Sequence, residues 1–209
     1  MKVLAVSDQE VERIYTLAAS GHFKDVDILL GCGDLPYAYL EYLITTLNVP
    51  LYYVPGNHDP KFDPGSSKAY VEGGINLDLS TSYESGFLLA GLGGSICYRP
   101  EGVNQYTQAQ FTMRALTLLL RISASKKRYG RWLDILISHS PPFGIHDEST
   151  QAHTGLKGLN FLINVVHPRY LFHGHTHFYR HNLANATTQI HSTTIMNVFP
   201  YKLVEIPFE

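Results

Sequence analysis

Short apolar runs alternate with segments of helical spacing along the first 55 residues. The run at 26–31 is apolar except at Asp27, which is typical of a strand buried on both faces. Residues 9–23 instead place Val11, Ile14 and Leu17 at the spacing of one helix face. Two strand–helix–strand units in succession predict a parallel sheet with right-handed crossovers. The elements predicted in this part are strands at 2–7, 26–31 and 50–54 and helices at 9–23 and 37–47.

The remaining residues continue this alternation around one long helix. Residues 107–125 carry Phe111, Leu116, Leu119 and Leu120, which we assign to the apolar face of that helix. The chain contains no internal repeat and no long linker, which favours one continuous α/β fold. The other predicted elements are a loop at 60–86, strands at 87–92, 134–138 and 170–173, a loop at 141–154, a helix at 155–166, and two or three antiparallel strands within 179–208.

The composition is that of a folded globular protein. The 209 residues suit a single domain spanning 1–209, and 44% of them are hydrophobic against 16% charged. A net charge of −2 supplies no basic field for nucleic acid or an anionic membrane. No apolar stretch reaches the roughly 18 residues of a spanning helix, and no secretory signal precedes the first strand, so we expect a cytoplasmic protein. Cys32 and Cys97 are most simply free thiols, and a disulfide between them stays open.

Polar residues able to bind metals follow five of the predicted strands. In an open α/β sheet the carboxyl ends of the strands form the crevice where ligands bind. We therefore expect these groups, although distant in sequence, to meet at one edge of the fold. In chain order they are Asp8 and Glu10, Asp34, Asn57 with His58 and Asp59, His139, and His175 with His177.

These residue types favour a metal centre when they are taken together. Aspartate, asparagine and histidine bind divalent metals of borderline hardness such as manganese, iron or zinc. Two ions about 3.5–4 Å apart can generate a hydroxide nucleophile and clamp the attacking and leaving oxygens. Taken singly, Asp8 is more simply a helix N-cap, Asp34 a turn residue and His139 a loop residue. Five such coincidences at strand ends are poorly explained by these separate roles.

The order of these blocks closely resembles the calcineurin-like metallophosphoesterase superfamily. The matching segments run from residue 4 to residue 178. The Gly-Asn-His-Asp and Gly-His-Thr-His blocks are specific when they occur together. The resemblance implies a four-layer α-β-β-α sandwich of two mixed sheets. It also implies two divalent metal ions, manganese first, with iron, zinc and magnesium as alternatives.

The resemblance further implies a role for each candidate residue. His58 would not bind a metal but would contact the phosphate and assist the leaving group. Asp59 would orient or tune His58 from behind. The implied ligands are Asp8 and His177 at the first metal, Asp34 bridging both metals, and Asn57, His139 and His175 at the second.

Glu10 departs from the pattern of the superfamily, which usually has Asp-x-His at the end of the first strand. Here Asp8 is followed two positions later by Glu10. As a ligand, Glu10 would add a negative charge and make the first site harder, favouring manganese, magnesium or iron over zinc. Alternatively, Glu10 turns away and the first site is weak or completed by water.

The resemblance predicts hydrolysis of a small phosphate monoester or diester by a hydroxide bridging the two metals, with a nucleotide among the candidate substrates. The loops available for specificity are short, which favours a small substrate over a phosphoprotein. Four aromatic residues near strand ends, Tyr37, Tyr39, Phe62 and Tyr98, offer either stacking surfaces or simple packing.

Two other functions stay open. Some members of the superfamily keep the fold and bind partner proteins without catalysis, and Glu10 supports such a metal-binding scaffold. His58 argues against it, since a scaffold has no evident need for that histidine. A nuclease is disfavoured by the negative net charge and the lack of a basic stripe.

Overall fold

Two β-sheets pack face to face, with helices on both outer faces, in a computed structural model of the chain. The structure describes residues 1–61, 63, 65–66, 69–179 and 183–208. The predicted four-layer α-β-β-α fold is confirmed. The helices are α1 (Glu12–Ala19), α2 (Tyr37–Leu47), α3 (Gln108–Tyr129) and α4 (Lys157–Val166).

The first sheet has five strands in the order β13-β1-β2-β3-β4, and the second has six in the order β11-β12-β10-β9-β6-β5. A small pair, β7 and β8, stands beside them. The strands are β1 (Lys2–Val6), β2 (Ile28–Gly31), β3 (Leu51–Tyr53), β4 (Gly74–Asn76), β5 (Thr81–Glu84), β6 (Phe87–Leu92), β7 (Ser95–Ile96), β8 (Gln105–Tyr106), β9 (Ile135–Ser138), β10 (Tyr170–His173), β11 (Thr187–Ile190), β12 (Thr193–Asn197) and β13 (Tyr201–Glu205).

Alternation along each central strand divides the core into three layers. Val3 and Ala5 of β1 face the second sheet, where they join a cluster that includes Phe172. Leu4 and Val6, the alternate residues, face the layer of α1 and α2 instead. The helices α3 and α4 cover the outer face of the second sheet. Apolar burial on both faces explains why the central strands are continuously hydrophobic.

The buried face of helix α3 matches the predicted one only in part. Its buried residues are Phe111, Ala115, Leu118 and Ile122. Leu119 is partly buried, but Leu116 and Leu120 are 39% and 73% exposed, so their assignment to the apolar face was wrong. Small residues allow α3 and α4 to approach each other closely. Gly158 of α4 packs against Phe111 and Ala115 of α3, and a Cβ at Gly158 would crowd both. A run of neighbouring leucines does not by itself show which of them faces a small partner.

The boundaries also differ from prediction in several places. Strands β4 and β5 lie inside the predicted loop at 60–86, and the pair β7 and β8 was not predicted. The last three strands divide between the sheets: β11 and β12 join the second sheet, whereas β13 runs antiparallel to β1 in the first.

The two cysteines are free thiols, with Cys32 buried and Cys97 partly exposed, so the disulfide alternative does not apply. Among the described residues, no helix combines the length and the apolar character needed to cross a membrane.

Candidate metal centre

The carboxyl ends of the central strands of both sheets meet at one site. Asp8, Asp34 and Asn57 follow β1, β2 and β3 of the first sheet, while His139 and His175 follow β9 and β10 of the second. The parallel pairing of these strands aligns their ends at a common edge. Ligand atoms of four of these residues lie within 4.8 Å of one another: Asp8, Asp34, His139 and His175.

Three acceptor atoms surround the Nε2 atom of His139. It lies 3.0 Å from Nδ1 of His175, 3.1 Å from Oδ1 of Asn57 and 3.3 Å from Oδ2 of Asp34. On its other side, Nδ1 of His139 lies 2.9 Å from the Cys32 carbonyl oxygen. A carbonyl can only accept, so Nδ1 carries a proton, and Nε2 presents a lone pair once the ring is neutral.

Outer partners orient the other donor groups in the same way. Nε2 of His175 lies 2.8 Å from the Ala152 carbonyl oxygen, so this nitrogen donates and Nδ1 presents its lone pair inward. The Asn57 amide nitrogen donates to the Tyr98 hydroxyl at 3.2 Å, which leaves the Asn57 oxygen facing His139. Ligand atoms of four groups therefore converge. Either a proton on Nε2 of His139 or a cation can occupy the space between them, and this donor set fits a divalent metal.

The pKa values reflect this crowding of charge in a buried site. Burial by itself raises the pKa of Asp34 and lowers that of His139. Their mutual attraction reverses both effects, so the pKa of Asp34 is lowered and that of His139 is raised. Burial lowers the pKa of His175 to about 3, so this imidazole is neutral at physiological pH. Burial also raises the pKa of Asp8.

Strained backbone conformations occur at three of the clustered residues. Asp8, Asp34 and His175 have φ values of 61°, 56° and 66°, in the left-handed region that non-glycine residues seldom adopt. Such conformations are frequent at functional sites, where surrounding contacts hold them. Here the Asp8 carboxylate accepts from the His175 backbone N–H at 2.8 Å. Gly174 permits this approach, since a Cβ there would collide with Asp8.

The N-cap and turn alternatives do not describe the two aspartates. Helix α1 begins at Glu12 with Val11 as its N-cap, and no side chain caps it. Asp34 accepts from the backbone N–H of His58 at 2.8 Å through Oδ1, while Oδ2 faces His139. Both carboxylates therefore face the cluster.

His177 and Glu10 lie at the edge of the cluster. His177 is exposed and stacks on Phe199, with its Nε2 atom 3.9 Å from Oδ1 of Asp8. This places it within reach of an ion bound to Asp8. Glu10 is exposed and accepts a 2.6 Å hydrogen bond from the Tyr15 hydroxyl. It stands outside the group of four clustered residues, and its role as a ligand stays a prediction.

The two residues predicted to be catalytic occupy different environments. His58 is exposed, and its Nε2 atom lies 4.0 Å from Oδ2 of Asp34. Asp59 is buried, and its Oδ2 atom accepts from the backbone N–H groups of Gly56 at 2.7 Å and Asp34 at 2.9 Å. Burial raises the pKa of Asp59 to about 6. These contacts show Asp59 joining two metal-site loops, whereas an effect on His58 stays a prediction.

A cavity of about 280 Å³ lies over the cluster. Its walls include residues whose part in the site the sequence did not reveal, notably Tyr98 and the Ala152–His153 segment. Tyr98 was predicted to offer a stacking surface or simple packing, whereas its hydroxyl orients Asn57. Phe62, named in the same prediction, lies outside the described residues. Asn104 was missed altogether, although its side chain donates to the Gly56 and Asp59 carbonyl oxygens. Nothing in the sequence around Asn104 signals these long-range contacts.

Neighbouring histidines support the strand that leads into the site. His173 is buried, and its Nε2 atom lies 2.8 Å from Nδ1 of His146. The second nitrogen of His146 lies 2.9 Å from the Thr188 hydroxyl oxygen. Burial lowers the pKa of His146 to about 4 and also lowers that of His173, so both rings are neutral at physiological pH. The two histidines therefore pack as a hydrogen-bonded pair beneath the His175 turn.

The chain was compared with protein families, curated proteins and solved structures. A family model described as calcineurin-like phosphoesterase matches residues 1–179. No curated protein matches the chain. One solved structure shares 16% identity and a TM-score of 0.64, with 94% of this chain and 90% of that chain covered. The structure of TT1561 of Thermus thermophilus shares 16% identity and a TM-score of 0.59, with coverages of 94% and 88%.

At such low identity the solved structures show a common fold. The match of the family model extends over most of the chain and includes every residue of the cluster. The geometry adds four residues whose ligand atoms lie within 4.8 Å of one another. The chain therefore belongs to the calcineurin-like phosphoesterase family.

Proposed function

We propose that this protein is a metal-dependent phosphoesterase that hydrolyses a small phosphate monoester or diester at a pair of divalent cations. One observation carries the proposal: ligand atoms of His139, His175, Asn57 and Asp34 converge, each oriented by a partner outside the cluster. An ion pair between Asp34 and His139 would not by itself need the Asn57 oxygen and the His175 nitrogen beside it.

The donor set favours manganese as the cation, with iron, zinc and magnesium as alternatives. Two imidazoles disfavour calcium, which takes oxygen ligands, while two carboxylates and an amide disfavour soft metals. Asn57, His139 and His175 would hold one ion, Asp8 and His177 the other, and Asp34 would bridge them. Bound in this way, divalent cations supply Lewis acidity that polarises the phosphoryl oxygens and lowers the pKa of the attacking water.

The protein's own residues would orient the substrate and handle the leaving group. His58 stands at the mouth of the cavity with its ring free to approach a bound phosphate. Its Nε2 atom lies on the cavity side, 4.0 Å from Asp34. From there it would donate a hydrogen bond or proton to the departing oxygen. The backbone N–H of His58 donates to Asp34, which fixes the distance between this histidine and the cluster.

Hydrolysis of two 4-nitrophenyl esters, a monoester and a diester, tests this function. We expect turnover that depends on added manganese and disappears with a chelator. The variant His58→Ala should lose about 10²-fold or more in kcat, the range of a general acid, while retaining the metal. Metal content per chain, measured on protein purified without chelators, should approach two equivalents.

A catalytically impaired scaffold is the second candidate. It is favoured by one observation, namely that Glu10 accepts from Tyr15 and lies apart from the cluster at the position where the superfamily usually has a histidine ligand. Absence of turnover with every metal, together with no gain on Glu10→His, would support the scaffold and contradict the enzyme.

A further inference from the structure

A groove adjoins the cavity over the metal centre and shares three wall residues with it. Asn57, His58 and Tyr98 line both spaces. The groove has a volume of about 860 Å³, within the range of roughly 300–1,000 Å³ that small-molecule sites occupy. A phosphate alone needs far less room. A substituent of a phosphate held over the cluster would therefore extend into the groove.

Hydrogen bonds tie the far wall of the groove to the metal-binding loop. Asn104 donates from its amide to the carbonyl oxygens of Gly56, at 2.9 Å, and Asp59, at 3.2 Å. The side-chain oxygen of Gln105 accepts from the backbone N–H groups of Tyr98 and Arg99 at 3.2 Å each. These contacts hold the segment at 98–105 in place without a ligand. The groove is thus preformed, which lowers the entropic cost of binding.

The groove walls combine flat apolar surfaces with little net charge. Pro60, Pro100 and Val103 contribute apolar surface, and Val103 is 44% exposed. The Arg99 guanidinium lies 5.4 Å from the centre of the Tyr98 ring, so a planar cationic group adjoins an aromatic face. Glu101 also lines the groove and carries the charge opposite to that of Arg99. The surface therefore suits an uncharged planar group better than a second anion.

We propose that this groove is a leaving-group subsite that selects phosphate esters of an uncharged planar aromatic group, of aryl or nucleobase size. The inference rests on the proposed function, since it needs the phosphate of the ligand to bind over the cluster. The aromatic group would stack beside Tyr98 and Arg99 and would cover Val103. The segment at 98–105 thereby determines specificity, whereas the cluster provides affinity for phosphate.

Calorimetric binding of non-hydrolysable phosphonates tests the subsite without relying on turnover. The probes are inorganic phosphate, methylphosphonate, 1-naphthylphosphonate and 3-phosphonopropionate, each with manganese-loaded protein. We expect 1-naphthylphosphonate to bind at least about tenfold more tightly than methylphosphonate, because it alone buries an aromatic surface. 3-Phosphonopropionate, which carries a second anion, should show no such gain.

A matched pair of valine variants locates the effect. Val103→Glu places a charge in the groove and should reduce the preference for naphthyl over methyl to less than about threefold. Val165 on α4 is 45% exposed and does not line the groove, so Val165→Glu is the control. It should retain the preference of the unmodified protein.

The other possible results of these binding experiments contradict either the subsite alone or the proposed function together with the subsite. Equal binding of the naphthyl and methyl probes, or tightest binding of 3-phosphonopropionate, contradicts the subsite while phosphate binding still supports the metal centre. The same holds if both valine variants lose the preference equally. Failure of every probe to bind, inorganic phosphate included, overturns the proposed function and the subsite with it.

Discussion

The candidate metal centre has a closed half and an open half, which differ in how firmly their donor atoms are held by neighbouring groups. The closed half consists of Asp34, Asn57, His139 and His175, all buried or nearly so, with outer partners that orient their donor atoms. The open half consists of Asp8, Glu10 and His177.

In the open half, only the Asp8 carboxylate is buried, while His177 and Glu10 are exposed. The comparison teaches that a ligand is defined by its outer partner as much as by its residue type. The Cys32 carbonyl sets the tautomer of His139, whereas the Tyr15 hydroxyl holds Glu10 in another direction. We therefore expect substitutions in the closed half to have larger effects than those in the open half.

Asp34→Asn should have the largest effect because Asp34 lies between the two halves. The amide keeps the shape of the side chain but loses the negative charge beside His139. We expect kcat/KM to fall by about 10³-fold, together with a loss of bound metal. Asp25→Asn, which removes a surface carboxylate paired with Lys2, is the control. Retention of both metal and turnover in Asp34→Asn would refute the bridging role.

Metal binding should strengthen with rising pH. The Asp34 carboxylate overcomes the effect of burial and raises the pKa of His139, so at neutral pH this imidazole carries a second proton, on Nε2, which must leave when a metal binds. Affinity should therefore rise by up to about tenfold per pH unit between about pH 6 and 8. Calorimetry in buffers of different ionisation enthalpy counts the released protons. An affinity independent of pH would contradict this account of the closed half.

Tyr98→Phe should have a moderate effect, since it removes only the hydroxyl that accepts from Asn57. The Asn57 amide would then be free to rotate and to present its nitrogen, which cannot bind a metal. We expect manganese affinity to fall about tenfold, as for other partners that orient a ligand. Tyr83→Phe alters an exposed tyrosine stacked on Tyr129 and serves as the control. Equal affinities of the two variants would remove Tyr98 from the positioning of Asn57.

Glu10→Gln should have the smallest effect, within about twofold in metal affinity, because Glu10 is exposed and engaged by Tyr15. Glu12→Gln, in the first turn of α1, provides a comparison at a neighbouring exposed glutamate. A tenfold loss confined to Glu10→Gln would show that Glu10 turns toward the ion when metal is present, and would make the two halves of the site equivalent.

The sequence by itself determined the parallel strand–helix–strand units and the residues that follow their strands, whereas the four-layer arrangement was implied by the family resemblance. Continuous apolar runs require strands buried on both faces, and the residues that follow such parallel strands must meet at one edge. His139 and His175 were predictable for this reason, although they are 36 residues apart.

Only the tertiary structure decided which neighbouring groups face each other. The pairing of Glu10 with Tyr15, the bond from Asn57 to Tyr98 and the two bonds from Asn104 depend on distances between segments that no local pattern encodes. The buried face of α3 was decided in the same way, by the close approach of Gly158 to Ala115. Periodicity shows that a helix has an apolar face, but packing against a partner of particular shape selects which residues form it.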